Sequence, residues 1–167
     1  MVFTPLVRVI LDTLRATGFQ CAIVGGYPRD HYFGRTPKDA DIVVYGLNDA
    51  HYNLVYQWER VMSDCNMLID IEQTATSMAE AVRVQEVFKL TGNIDVIFMK
   101  SEYDTLTKVL ESFDHNICQF VLRDDNVPEF VGSNFGVLTC NEERTDPITP
   151  KRRAHIQSIA KEVGWIV

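Results

Sequence analysis

The chain has 167 residues and a formal net charge of -7, with nearly half its residues apolar and about a quarter charged. That is enough chain for one proper core without staples, and the acidic balance argues against coating nucleic acid through bulk electrostatics. No apolar run approaches the ~20 residues needed to span a bilayer, and the N-terminus lacks a signal-peptide pattern, so a cytoplasmic protein with no membrane contact is expected.

The four cysteines and four histidines are scattered, without a C-x-x-C pair. This spacing argues against a zinc site and a disulfide framework, and leaves reduced, mostly buried thiols.

In chain order, Thr4-Pro5 reads as a helix cap and Gly18 as its stop, with Leu6, Val7, Ile10, Leu11 and Leu14 on one face. Gln20 to Val24 reads as a buried strand ending in Gly25-Gly26. Tyr27 to Phe33 suits a short helix closed by Gly34, followed by the basic turn Arg35-Thr36-Pro37-Lys38. Asp41 to Tyr45 is a second strand. Asn48 to Asp64 is an amphipathic helix, with Leu54, Val55, Trp58 and Met62 inward.

Residues 67–81 fit a short strand or an irregular loop equally well. Val82 to Leu90, the turn Thr91-Gly92-Asn93 and Ile94 to Met99 predict a β-hairpin. Tyr103 to Phe113 is helical in period. Asn116 to Leu122 and Pro128 to Val131 read as strands, and a last helix runs from the Thr149-Pro150 cap to Gly164. With no repeat or linker in sight, residues 1–167 are expected to form one α+β domain.

The chemistry concentrates between Val24 and Val44. Asp39 and Asp41 stand two apart at the start of a strand, so their side chains point the same way, and adjacent carboxylates repel unless a cation sits between them. Magnesium is typically held by one or two carboxylates plus substrate phosphates. Asp95, alone among residues that want burial, is the candidate third acid, because an unpaired charge there would be costly without a partner such as a metal. Gly25 and Gly26 would let backbone N–H groups approach phosphate oxygens, and Arg29 can fork onto a phosphate or pair with an acid. Arg35 and Lys38 add cations just before the carboxylates.

This order resembles the head domain of the poly(A) polymerase and class II CCA-adding tRNA nucleotidyltransferase family, within the polymerase-β-like superfamily. The family signature is G-G-x-x-R-D, a later G, and D-x-D opening a strand. Gly25, Gly26, Arg29, Asp30, Gly34, Asp39 and Asp41 fill those places. Asp95 in Ile94-Asp95-Val96-Ile97 is similar to the family's third carboxylate. Phe113 to Cys118 resembles its R-D-F-T-I-N motif through Asp114 and Ile117, without the arginine pair that precedes it. Asp146-Pro147 and the stretch from Arg152 to Ile166 resemble the opening of its neck, with Arg152, Ala160, Gly164 and Trp165 in matching places, so the last helix over 149–164 resembles the start of that neck.

The resemblance implies a mixed β-sheet head with flanking helices that transfers a nucleoside monophosphate from an NTP to a hydroxyl. Two magnesium ions would sit on Asp39, Asp41 and Asp95, and the nucleotide on Gly25, Gly26, Arg29, Lys38, Asp114 and Arg152. The favoured acceptor is an RNA 3′ end, that of tRNA. Beyond that opening, no counterpart of the family's larger neck, body and tail is expected in these residues, so full CCA synthesis is not expected to carry over, and a protein partner or homo-oligomer would supply the acceptor grip. Two alternatives are transfer to a protein hydroxyl, as in AMPylating enzymes, and a non-catalytic nucleotide-binding module. Separately, Lys151, Arg152 and Arg153 crowd the first turn of the last helix, where the dipole disfavours cations and a facing anion would relieve them.

Overall fold

A computed structural model of the protein describes residues 5–72, 83–143 and 148–167. The Thr4 cap, the hairpin's Val82 and the Asp146-Pro147 pair lie outside them.

The elements are α1 (Pro5–Thr17), β1 (Gln20–Val24), α2 (Gly26–Tyr32), β2 (Ala40–Tyr45), α3 (Tyr52–Asp64), β3 (Leu68–Glu72), β4 (Val84–Leu90), β5 (Ile94–Met99), α4 (Leu106–Glu111), β6 (Phe120–Leu122), β7 (Pro128–Phe130) and α5 (Pro150–Glu162). The strands form one mixed sheet in the order β3-β4-β5-β2-β1-β6-β7. The β2/β5 pair is parallel, and the other neighbours run antiparallel.

Alternation along the strands divides the sheet into two faces. On one, Ile42, Val44, Phe88, Leu90, Val96 and Phe98 form a continuous core with Val7, Ile10, Leu11 and Leu14 of α1 and Trp58 and Met62 of α3. The Trp58 ring stacks on Phe88 with centroids 5.5 Å apart, and its Nε1 donates to Thr13 Oγ1 at 3.2 Å. The opposite face is covered only in part. There Val109 and Leu110 of α4 close over Ala22, Val24, Val43, Met99 and Val121. The ends of β2 and β5 nearest Asp41 and Asp95 are left to a cleft.

Two expectations need correction, and one open segment resolves. Tyr103 to Phe113 shortens to α4, because Thr105 caps it by accepting from Lys108 N–H. Asn116 to Leu122 is not one strand. Asn116–Cys118 is a single 3-10 turn and only Phe120–Leu122 pairs in the sheet. The reason is the Asn116 side chain, which is buried and spent on a loop: its Nδ2 donates to Ser133 O (2.8 Å) and Val137 O (2.9 Å), and its Oδ1 accepts from Thr139 N–H (2.8 Å). Such side-chain bonds compete with a strand ladder. The ambiguous segment after Asn66 resolves as β3 over Leu68–Glu72, with 73–82 outside the described residues.

Candidate active site

The cleft has a volume of about 710 Å³, and all nine sequence-predicted site residues line it. Its floor is set by register. In the parallel β2/β5 pair Asp41 lies opposite Asp95, and in the antiparallel β4/β5 pair Asp95 lies opposite Lys89. Neighbouring strands run about 4.8 Å apart, so one row across the sheet reads Lys89, Asp95, Asp41, Val24. Lys89 Nζ donates to Asp95 Oδ2 at 3.0 Å.

Burial pushes the Asp41 carboxyl up to about 6, and the charges of Asp95 and Asp39 add to that push. Asp39 sits one residue before β2, at its mouth. The three acids therefore share one end of the cleft and feel one another electrostatically. As they stand they do not form a ligand set, for among the described residues no three histidine, cysteine or acidic side chains are placed to hold a metal ion. Lys89 is the partner that Asp95 demanded on sequence grounds. It was legible too: a three-residue turn at 91–93 pairs Leu90 with Ile94, and hence Lys89 with Asp95.

The glycine pair divides its duties. Gly25 takes φ +79° and ψ −131°, a region essentially closed to residues with a side chain, so the chain can leave β1 and enter α2 at once. Its N–H is already given to Phe120 O at 3.0 Å, and is not aimed at a ligand. Pro28 has no N–H and so adds no donor at the helix start. Gly26 makes room for Arg29, since a Cβ there would stand 3.2 Å from the guanidinium.

Arg29 is itself buried. Its Nε donates to Asp30 Oδ1 at 3.0 Å, and Arg35 Nη1 reaches the same oxygen at 3.2 Å. Arg35 also meets Glu162 at the far end of α5 (3.1 Å), tying the basic turn to that helix. Lys38 lines the cleft and forms no ion pair among the described residues.

The opposite wall joins distant parts of the chain. Arg152 in the first turn of α5 forks onto Asp114, Nε to Oδ2 at 2.8 Å and Nη2 to Oδ1 at 3.4 Å. Burial acts to raise the Asp114 carboxyl, but the adjacent His115 and the Arg152 guanidinium outweigh it and hold the group well below the usual carboxylate range. The anion that relieves the crowded cations of α5 is thus in part the protein's own. Cys118 lies beside Arg152, its thiol pushed up to about 11 by burial. His155, one turn further on, is lowered by burial and by the charges of Arg152, Arg29, Lys38 and Arg35, which records how tightly positive charge gathers on this rim.

No protein-family model matches the chain, and no curated protein matches it. Solved structures do. The Bacillus stearothermophilus CCA-adding enzyme in complex with CTP superposes with a TM-score of 0.54 at 14% identity, covering 95% of this chain and 38% of its own. The Thermotoga maritima CCA-adding enzyme complexed with tRNA gives 0.54 at 18% identity, over 83% and 33%. A CCA-adding enzyme with CTP gives 0.53 at 16% identity, again over 83% and 33%. The chain thus spans about a third of the length of these neighbours. At such identities the likeness speaks for the fold alone, a mixed α+β sheet with flanking helices like the matched part of those CCA-adding enzymes.

Proposed function

We propose that the protein is a metal-dependent nucleotidyltransferase that moves a nucleoside monophosphate from an NTP to a hydroxyl, with an RNA 3′ end, that of tRNA, as acceptor. The observation that carries this reading is the register that sets Asp41 beside Asp95 on the floor of a cleft rimmed by Arg29, Lys38 and Arg152. The ligands of the structural neighbours, CTP and tRNA, support the choice of nucleotide donor and RNA acceptor by analogy.

The donor set suits magnesium. Asp39, Asp41 and Asp95 offer hard oxygens, and Asp41 bears a like-charge load from its two neighbours that a divalent cation would relieve. Those three acids would hold the ions, which when bound neutralise charge on the α-phosphate and lower the pKa of the acceptor hydroxyl. The protein's own groups do the rest. Lys38 and the Arg29 and Arg152 guanidiniums orient the triphosphate so that its α-phosphorus faces the acids. Asp95 takes the proton of the acceptor hydroxyl. The new oxygen–phosphorus bond forms in line as the bond to the β-phosphate breaks, and pyrophosphate leaves toward the cationic rim.

The test is to supply each α-labelled NTP with magnesium, with and without tRNA trimmed at its 3′ end. Label on the RNA is the expected result. Label on protein would move the acceptor to a protein hydroxyl, and no label on either would reduce the cleft to a nucleotide-binding module.

A further inference from the structure

We infer that Lys89 is a built-in counter-cation for the carboxylate pair, a placeholder that a divalent ion must displace from Asp95 before the cleft can work. The inference rests on the metal-dependent reading above and assigns a role to a residue outside the proposed ligand and nucleotide-binding set.

Three observations carry it. The Lys89 ammonium is 3.0 Å from Asp95 Oδ2, and the pairing is imposed by β4/β5 register and not by a flexible loop. Asp95 in turn stands opposite Asp41, so without Lys89 two carboxylates would face the same cleft side by side with no counter-cation from the neighbouring strand β4. Finally, the contact is displaceable, because the Lys89 and Asp95 side chains remain 38% and 31% exposed. An exposed lysine pair is screened by solvent and held by a long flexible stem, so the ammonium can swing away while its Cα stays in the sheet. Lys89 thus keeps the empty cleft from repelling itself and raises the threshold for metal entry. Once displaced, it remains within the same cleft as one more cation for the leaving phosphates.

The experiment is Mn2+ binding followed by electron paramagnetic resonance on the intact chain, comparing wild type, Lys89→Met and Lys89→Arg, with thermal melts to confirm folding. The expected result is about fivefold tighter Mn2+ binding in Lys89→Met, the equivalent of losing one exposed ion pair. Lys89→Arg should stay near wild type, and the gap should narrow at high salt, where an exposed pair is screened. Equal or weaker binding by folded Lys89→Met would overturn the inference while leaving the metal-dependent reading intact. Mn2+ binding by Lys89→Met alone would support it in its strongest form. Binding by neither protein, even with an NTP present, would remove both.

Discussion

The two faces of the central strands are built from the same backbone and do opposite things. Under α1 and α3, Ile42, Val44, Val96 and Phe98 are packed into a continuous apolar core. One residue away on each strand, Asp41 and Asp95 face a cleft that holds six cations and six acids among its lining residues. The core face holds no charge, and the cleft face pairs several of its charges with one another: Lys89 on Asp95, Arg29 and Arg35 on Asp30, Arg152 on Asp114. Since the period is two, a one-residue slip of β5 would exchange the faces. The lesson is that the deep core exists largely to hold register, and register is what brings the acids together.

That division can be broken from either side. The largest effect is expected on the core face. Phe98 is almost fully buried and meets Phe19, Trp58 and Phe88 edge-on or tilted, so Phe98→Ala should cost about 3–5 kcal/mol in a denaturant melt. Whatever fraction stays folded should keep its transfer activity.

A smaller effect belongs to the polar wall. Asp114→Asn removes the acceptor of the Arg152 fork and should cost about 2 kcal/mol at neutral pH, a value discounted because the Arg152 side chain is 44% exposed. The depressed Asp114 carboxyl fixes the sign of the pH dependence. Its contribution is fully present above the unfolded value near 3.9 and fades as pH falls below it, so the gap between wild type and Asp114→Asn should close in acid. A gap that held constant from pH 7 to pH 3 would contradict the pairing.

The smallest effect should come from Gly25. An added Cβ there meets nothing within 4 Å, so Gly25→Ala has no clash to relieve and bears only the backbone strain of its positive φ, about 1–2 kcal/mol by thermal melt.

Much of this was legible in the sequence because its signals are local. The strand, glycine pair, short helix and D-x-D sit within about twenty residues, and the Thr91-Gly92-Asn93 turn fixes which side chains of β4 and β5 meet. Two things were not legible, both non-local. The strand order, with β5 crossing back to lie parallel to β2, is decided by how the whole core closes and not by any one segment. The Asp114–Arg152 fork joins residues 38 apart, and each read singly as a nucleotide contact before the fold showed them paired with each other. Asn116 misled for a third reason: its β-like surroundings, Ile117 and Cys118, concealed a side chain that bonds the 133–139 loop in place of a strand partner.

The measurement that bears most directly on the cleft is transfer of α-labelled nucleotide by Asp41→Asn, set beside its unfolding midpoint. Removing a charge that its neighbours oppose should leave the fold at least as stable as wild type while transfer falls to background. Transfer persisting at the wild-type rate in the folded variant would mean that the Asp41–Asp95 floor is not where the chemistry happens.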